Sequence, residues 1–404
     1  MSLVSRKEAP ISGSISEKAV AAGVKIQTTS VVGFPRTELP NTDNDYTYER
    51  QRAKTKMTPE GLKPLTKEET HEEHQMTKAL LKKFTQNVVQ GSGTSMSFPV
   101  AYSEPRSYLE RTSDLFAFLV ETYIKKSIEC TDPVEKLVQI TTGILAGYHL
   151  DLNTKKVFNP YLGETYMSRW ENGSTIYAEQ VCHHPPLSVF QIYAPDDSWY
   201  CYSDPVKFNV DNNMMSSLDV SMDGDFHLHI KNGPVYEWEF PVVFLSGQVK
   251  GDRIVRIKGD ISVKDVTNDL TAKIEVSPKS SKKKGITDSR ASTIYGGIVK
   301  GGKEKKHKLS IGKNDEPYIK TFTGDYVHQI LVDGKVVWDI DQDLAHRAVG
   351  QVDDSDLLPS DVRYRGDRDL LISNNNAEAD KAKTALENLQ RREAKIRESV
   401  KKKK

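Results

Sequence analysis

The sequence predicts an α+β protein that is mainly β with flanking helices, and whose large antiparallel sheet forms a barrel with an interior. Between residues 167 and 340, short segments rich in Val, Ile, Tyr, Trp and Phe follow one another, separated by Gly, Asn and Asp turns. No helical pattern interrupts these segments, which favours one continuous antiparallel sheet. Because a sheet of so many strands has to curl or close, a barrel is the simplest architecture.

Helices are predicted on both sides of this barrel. Asp132 followed by Pro133 has the pattern of an N-cap with proline at the first helical position. Within the β region, Asp333-Gly334 between two apolar runs predicts a hairpin. A long charged helix is predicted from Ala377 to the end of the chain. The expected order is a helical segment at 94–150, the barrel at 151–340 and a C-terminal helical region at 341–404.

The N-terminal part has a different character. Residues 1–75 are polar without a sustained period and are predicted to form a disordered arm. A short amphipathic helix and a glycine hinge are predicted at 76–93, and this helix is either a core helix or a mobile lid. Its apolar stripe consists of residues at helical spacing, namely Leu80, Leu81, Phe84 and Val88.

Composition excludes several classes of protein. The 57 Lys and Arg residues nearly balance the 56 Asp and Glu residues, so global charge gives no reason to expect a nucleic-acid partner. Three cysteines are too few for a disulfide scaffold. Because the chain has neither a leader pattern nor a long apolar run, we expect a cytoplasmic protein that does not span a membrane. We also expect this protein to be a monomer.

The octapeptide Glu179–Pro186 is the most unusual stretch, because it contains two adjacent histidines followed by two prolines. Three adjacent ligands Cys182, His183 and His184 suit a metal poorly, since successive side chains of an extended chain point to opposite faces. The same objection applies to a cysteine nucleophile with a histidine base. Anion binding by the imidazoles fits better, and the alternative is that both rings only satisfy turn carbonyls.

Two further groups of polar residues are candidates. A turn punctuated by Pro and Gly, residues 156–164, carries Lys156 and Asn159. On the last helix, Lys383, Glu387 and Arg391 are spaced four apart and therefore lie on one stripe. Such a stripe is usually an exposed ladder of ion pairs.

These stretches together resemble the oxysterol-binding protein family. Glu179–Pro186 is similar to the family fingerprint, with Cys182 in place of the usual Ser, and Lys156–Glu164 is similar to its Lys-Pro-x-Asn-Pro-x-Leu-Gly-Glu turn, with Val157 in place of the first proline. Leu358–Arg365, followed by the last helix, resembles the C-terminal signature, and Pro105–Arg111 resembles the entry to the ligand-binding domain. The resemblance extends from about Ala79 to the C-terminus. These two substitutions lie at positions that shape the backbone. They therefore do not change the expected class of ligand, but they put the loop geometry in question.

The resemblance implies a lipid-transfer protein without catalytic residues, metal or cofactor. Its fold would be an incomplete antiparallel barrel around a lipid tunnel, closed by the N-terminal lid. Members typically exchange phosphatidylinositol 4-phosphate for a sterol or, in one branch, for phosphatidylserine. Carried over by position, the residues that hold the 4-phosphate of the phosphoinositide headgroup would be His183, His184 and Arg391. The residues that surround the inositol ring and the glycerol phosphate would be Lys156, Lys383, Glu387 and Asn159.

Other functions remain as alternatives. A phosphoinositide hydrolase or Cys-His hydrolase lacks a convincing triad, and a phosphate loop at Gly297–Lys303 lacks the Ser or Thr that would bind magnesium. A lipid sensor or scaffold would keep the same site without net transport. Three basic segments could dock on anionic membranes, or they could equally be solvated loops: 282–284, 303–308 and 401–404.

Overall fold

The structure is a computed structural model that describes most of the chain. The described residues are 53–63, 66–72, 74–75, 78, 99–100, 103–152, 155–213, 217–247, 252–279, 290–301, 318–343 and 357–401. The predicted lid residues Leu80, Leu81, Phe84 and Val88 lie outside them, as do the basic segments 282–284, 303–308 and 402–404.

Helices precede and follow the strands of the large sheet along the chain. They are α1 (Tyr108–Ser113), a π-helical turn (Leu119–Tyr123), α2 (Ile124–Glu129), α3 (Pro133–Gly147), α4 (Gly366–Ile372) and α5 (Asn376–Lys401). Helix α3 begins where the sequence predicts, because the Asp132 carboxylate accepts a hydrogen bond from the backbone N–H of Val134 at 2.8 Å. Within the described residues, no helix combines the length and hydrophobicity that crossing a bilayer requires.

The strands form one small and one large sheet. They are β1 (Ser103–Ser107), β2 (Lys156–Phe158), β3 (Thr165–Arg169), β4 (Thr175–His183), β5 (Pro186–Tyr193), β6 (Trp199–Ser203), β7 (Val206–Asn213), β8 (Ser217–Asp223), β9 (Phe226–Ile230), β10 (Val235–Trp238), β11 (Val242–Ser246), β12 (Ile254–Lys258), β13 (Asp260–Asp265), β14 (Leu270–Val276), β15 (Ile294–Lys300), β16 (Lys320–Gly324), β17 (Gln329–Val332) and β18 (Lys335–Asp339). Strands β1 and β2 pair in parallel, and β3 to β18 form a sheet of 16 strands whose pairings are antiparallel.

Four pairs of consecutive strands each form one bent path across the large sheet: β6 with β7, β8 with β9, β10 with β11, and β12 with β13. On one side of the bends the strands pair in the order β6, β9, β10, β13, and on the other side in the order β7, β8, β11, β12. The bends lie at Asp204-Pro205, Gly224, residues 239–241 and Gly259, where a φ of +96° suits glycine. Residues 235–245 and 254–263, which are continuous apolar-rich segments in the sequence, are therefore each divided between two strands. This line of bends curves the sheet, which stays open because the described strands β3 and β18 do not pair with each other.

The helices fill part of the curve. Helix α3 contacts β13, β14, β17 and β18, and one hydrophobic cluster joins the helices to the sheet. At its centre, the ring of Phe116 lies 5.3 Å from that of Phe226 and 5.6 Å from that of Phe240. The predicted α+β fold with a large incomplete barrel is thereby confirmed.

The N-terminal segment departs from the expected disordered arm. Residues 53–56 are helical, Ala53 and Leu62 are buried, and Leu62 exchanges two backbone hydrogen bonds with Val255 on the free edge of β12. We call residues 53–63 the N-terminal strap. The prediction of disorder is wrong for this strap, because a few apolar residues suffice when an open sheet edge offers them backbone partners.

Two local predictions have different outcomes. The hairpin at Asp333-Gly334 is confirmed, with Val332 opposite Lys335 and positive φ values of 50° and 78° at the two turn residues. The segment 94–150 was expected to be helical throughout, but residues 103–107 form β1. Parallel pairing with β2 holds residues 103–107 in an extended conformation. The sequence pattern of residues 103–107 alone does not indicate such a pairing.

Candidate functional site

The octapeptide occupies the end of the β4–β5 hairpin. His183 pairs with Pro186, and a β-bulge lies between Gln180 and Cys182. The buried Gln180 side chain stabilises this bulge, since its amide donates to the carbonyl of Cys182 at 2.9 Å and accepts from Ser188 at 2.5 Å. The two histidine rings therefore extend from a strand end whose backbone is fixed from the inside.

The turn that carries Lys156 packs directly against this strand. The N–H of Gly163 donates to the carbonyl of Gln180 at 2.8 Å, and the N–H of Gln180 donates to the carbonyl of Glu164 at 3.0 Å. Two motifs that the sequence places some distance apart are thus joined by backbone hydrogen bonds, which set the position of Lys156 relative to the histidine strand.

The C-terminal signature holds the same turn from the other side. The buried guanidinium of Arg365 donates to Glu164 at 2.8 Å and to the carbonyl of Asn159 at 3.0 Å. It also lies over the rings of Phe158 and Tyr161, at 4.7 and 4.5 Å from their centroids. Sequence reasoning missed this role of Arg365, which was contained in the recognised signature but was not assigned to the site.

Lys156 is the half-buried cation of this turn. Its amine donates to the side-chain oxygen of Asn159 at 2.8 Å. Burial, together with the positive charges of Lys383 and Arg365 and against the opposing effect of Glu387, lowers the pKa of Lys156 to about 8. Several cations therefore lie close together here, and their mutual repulsion destabilises the ligand-free protein. A bound anion would offset this repulsion.

Helix α5 contributes the stripe of charged residues that the sequence predicts. Glu387 lies between two cations, accepting from Lys383 at 2.9 Å and from Arg391 at 3.2 Å. Lys383 is mostly buried, with 13% of its side chain exposed, whereas Arg391 is 58% exposed and also donates to Asn388. The carboxylate thus orients both cations.

The histidine pair has its own electrostatic environment. The ring centroids of His183 and His184 lie 4.5 Å apart. Burial lowers the pKa of His183, and the neighbouring His184 and the positive charge of Arg397 on α5 lower it further. Among the described residues, the buried Nδ1 of His183 has no hydrogen-bond partner. Sequence reasoning missed Arg397 as well.

The arrangement suits recognition of an anion better than metal chemistry. Across the described ranges, no three His, Cys, Asp or Glu side chains are grouped to hold a metal ion. Imidazole, ammonium and guanidinium groups instead provide N–H donors at the same end of the sheet.

The predicted site residues fall into two groups. Lys156, Asn159, Lys383 and Glu387 come together, and Arg391 joins them through Glu387. His183 and His184 form the second group, and the arginine that acts on His183 is Arg397. Contact of Arg391 with the histidines, as expected from the sequence, stays a prediction, as do the headgroup-binding roles of all seven residues.

Comparison with known proteins identifies relatives over most of the chain. A family model described as Oxysterol-binding protein matches residues 80–404. Oxysterol-binding protein 9 of Dictyostelium discoideum is 27% identical over 332 residues, which cover 78% of this chain and 74% of that protein. Oxysterol-binding protein 10 of the same organism is 31% identical over 313 residues, covering 75% of each chain.

Solved structures with a similar fold include two ORD domains. The ORD of Osh3 from Saccharomyces cerevisiae, in complex with PI(4)P, has a TM-score of 0.62 at 19% identity and covers 79% of this chain and 84% of that one. The Osh1 ORD domain in complex with ergosterol has a TM-score of 0.60 at 22% identity, covering 76% of this chain and 77% of the other. At these identities the likeness establishes the fold.

Proposed function

Because the chain belongs to the oxysterol-binding protein family, we propose that it binds phosphatidylinositol 4-phosphate and a second lipid, and exchanges them between membranes. The second lipid is a sterol. The relatives support both ligands, since one similar ORD domain was solved with PI(4)P and another with ergosterol and with cholesterol.

The observation that carries the proposal is the distribution of donors along α5. The positive charge of Lys383 lowers the pKa of Lys156, and that of Arg397 on the same helix lowers the pKa of His183. A phosphoinositide has two separated anionic groups, the phosphate monoester on the ring and the phosphodiester to glycerol. In our proposal His183 and His184 bind the monoester, and Lys156, Lys383 and Asn159 surround the ring and the diester, with Glu387 accepting from ring hydroxyls. Arg391 binds the monoester together with the two histidines.

The headgroup chemistry follows from the charges in the ligand-free protein. A monoester phosphate carries nearly two negative charges at neutral pH and needs several convergent donors. The lowered pKa of Lys156 reflects burial and repulsion by neighbouring cations, both of which an anion would offset. An anion bound near Lys156 would therefore relieve a repulsion that destabilises the free protein, and this relief would contribute to the binding free energy.

The apolar part of each lipid needs shelter from water. Transfer of an acyl chain into water costs about 0.8 kcal/mol per CH₂ group, so we propose a tunnel within the curve of the sheet. Residues 76–93 would act as the lid through Leu80, Leu81, Phe84 and Val88. The lipid-binding domain proper would comprise residues 94–404, with the N-terminal strap bound to its edge.

Two related functions are distinguished by the choice of second lipid and by net transport. A phosphatidylserine exchanger would use the same headgroup site, and a lipid sensor would bind without transport. The proposed location is the cytoplasm, with transient docking on anionic leaflets through the basic segments. No catalytic step is part of the proposal.

A vesicle-to-vesicle exchange assay tests this function. Donor vesicles contain phosphatidylinositol 4-phosphate and acceptor vesicles contain either a sterol or phosphatidylserine. We expect phosphoinositide transfer to accelerate when sterol is available for counter-transport. Acceleration by phosphatidylserine alone would favour the alternative exchanger, and binding without transfer would favour a sensor.

A further inference from the structure

The last turns of helix α5 carry an apolar stripe that faces away from the rest of the protein. Leu389, Ile396 and Val400 are 44%, 50% and 53% exposed. At about 100° per residue, Leu389 and Val400 lie within about 40° of Ile396 around the helix axis, so the three side chains form one line about 16 Å long. Gln390 and Ala394, which are partly buried, lie about 120° and 160° from Ile396. We call Leu389, Ile396 and Val400 the outer stripe.

Positive charges flank the outer stripe on both sides. Arg392 and Arg397 lie on its two sides, about 40° and 100° from Ile396. From residue 389 to the end of the chain, the sequence contains eight Lys and Arg residues against two Glu residues. One of these, Glu393, lies beside the stripe and pairs with Arg397 at 3.8 Å. An apolar stripe between basic flanks is typical of a helix that lies in the interface of an anionic membrane.

A second copy of the chain fits the outer stripe less well than a membrane does. The spacing of Leu389, Ile396 and Val400 matches a heptad, but a coiled coil needs about three or four heptads, and the exposed stripe covers fewer than two of them. Glu393 occupies the remaining core position of that heptad. Pairing two such helices would also bring two basic flanks together, whereas an anionic leaflet complements their charge.

The outer stripe lies on the same rigid helix as part of the proposed headgroup site. Lys383 and Glu387, which are joined by a hydrogen bond of 2.9 Å, lie on the side of α5 that is turned toward the protein. A helix is about 10 Å across, so membrane contact through the outer stripe would place this site about one helix diameter from the lipid headgroups. A lipid that leaves the bilayer would then travel only a short distance to reach it.

We propose that the outer stripe of α5 inserts into the interface of an anionic leaflet, while Arg392 and Lys395 contact lipid phosphates beside it. The partner is a lipid surface that is recognised by its negative charge and by burial of the three apolar side chains. The inference rests on the proposed function, because it names the residues through which the exchange protein meets the membrane.

The first test measures cosedimentation with vesicles of phosphatidylcholine and phosphatidylglycerol, which contain none of the proposed ligands. The variant L389S/I396S/V400S should bind these vesicles about tenfold more weakly than wild type, because less apolar surface leaves water on docking. Its circular dichroism spectrum should not change, since the three side chains are exposed. Wild-type affinity in this variant would overturn the inference.

The matched control removes three apolar side chains of similar exposure from other parts of the surface, namely V210S/V266S/V336S. It should bind the same vesicles within about twofold of wild type, because single exposed apolar residues are normal on protein surfaces. An equal loss in both triple variants would mean that docking does not depend on the outer stripe, and the inference would be wrong.

The basic flank is tested separately with R392Q/K395Q. Its affinity should fall about tenfold on anionic vesicles and stay unchanged on vesicles of phosphatidylcholine alone, because only the anionic surface attracts these charges. Unchanged affinity on anionic vesicles would contradict the proposed contact with lipid phosphates.

Tryptophan quenching by brominated lipids tests which side of the helix enters the membrane. All four native tryptophans are buried, so quenching reports on an introduced one. I396W places the probe in the outer stripe, and E398W places it about 160° away around the helix, at a position that is also exposed. We expect quenching of I396W and not of E398W. Quenching of E398W alone, or of neither variant on vesicles that bind the protein, would overturn the inference.

Lipid exchange by wild type and by I396W separates this inference from the proposed function. If both proteins exchange lipids and I396W is not quenched, the inference fails and the proposed function stands. If neither exchanges lipids and I396W is quenched, the proposed function fails and the membrane contact is supported. A wild-type dimer in solution that L389S/I396S/V400S converts to a monomer would assign the outer stripe to a second copy and overturn the inference.

Discussion

The guanidinium of Arg365 donates a 2.8 Å hydrogen bond to Oε2 of Glu164, although 201 residues separate them in the sequence. Arg365 also pairs with Asp367 at 2.8 Å, and Ser107 donates to Glu164 at 2.5 Å. The turn that positions Lys156 is therefore held between the first helix region and the C-terminal signature.

Removing the ion pair between Arg365 and Glu164 should lower the free energy of unfolding. In R365M two buried carboxylates would lose their cation, which costs about 3–5 kcal/mol in the free energy of unfolding. Urea denaturation measures this cost. Because burial already raises the pKa of Glu164 and Arg365 opposes the rise, its carboxyl would protonate more readily in the variant. The deficit should therefore be larger at pH 8 than at pH 5.

Two controls accompany R365M. R391M removes an arginine that is 58% exposed, and it should cost less than about 1 kcal/mol. R365K keeps the charge but loses the planar fork that serves Glu164 and Asp367 together, so it should recover only part of the stability. Equal stability of R365M and wild type would show that the turn does not depend on this pair.

Phosphoinositide affinity should fall at alkaline pH because of Lys156. Its pKa of about 8 applies to the free protein, and a bound phosphate would raise it. Below pH 8 the amine is protonated in both states, whereas above pH 8 binding must take up a proton, so affinity decreases by up to tenfold per pH unit. The ligand phosphate, with a second pKa near about 6, keeps its charge over this range. Extraction from vesicles between pH 7 and 9.5 measures the effect.

The matched variant for this prediction is K156R, which stays charged and should bind with a flatter pH profile. K156M should bind poorly at all pH values and yet melt at a higher temperature than wild type at pH 7. The reason is linkage: the folded-state pKa lies below the unfolded value, so protonated Lys156 destabilises the free protein below about pH 8. A lower melting temperature for K156M would contradict the description of the free site as repulsive.

The N-terminal strap should contribute to stability independently of the lid. Deleting residues 1–52 should leave the melting temperature unchanged, whereas deleting residues 1–63 should lower it, because Leu62 and its two hydrogen bonds to Val255 are lost. L62A alone should cost about 2–5 kcal/mol. Deletion of 1–90 combines the loss of strap and lid, so leakage of bound lipid has to be compared with the 1–63 deletion. Equal melting temperatures for the two shorter deletions would mean that the strap is not bound in solution.

Sequence patterns predict the parts of this molecule that local chemistry determines. The alternating strands, the cap at Asp132 and the hairpin at Asp333-Gly334 depend on residues close in sequence, and they are found where expected. The bend at Gly259 and the pairing of the strap with β12 depend on partners that meet only in the folded chain. These features were therefore not predicted.

The same distinction applies to the site. The motifs bring Lys156, Lys383 and Glu387 together, and the i, i+4 spacing correctly places Glu387 between two cations. The effect of the Arg397 charge on His183 depends on how the helix is rotated against the sheet, and the spacing of residues along the helix does not fix this rotation.

The most direct test of the central claim is extraction of phosphatidylinositol 4-phosphate from vesicles by the double variant H183A/H184A. The control is H227A/H229A, which removes two histidines that stack on Tyr202 and Tyr200 elsewhere on the sheet. We expect the first variant to lose phosphoinositide extraction, to keep sterol extraction and to keep its circular dichroism spectrum, and the second to behave as wild type. Undiminished phosphoinositide extraction by folded H183A/H184A would contradict the claim that these imidazoles bind the headgroup.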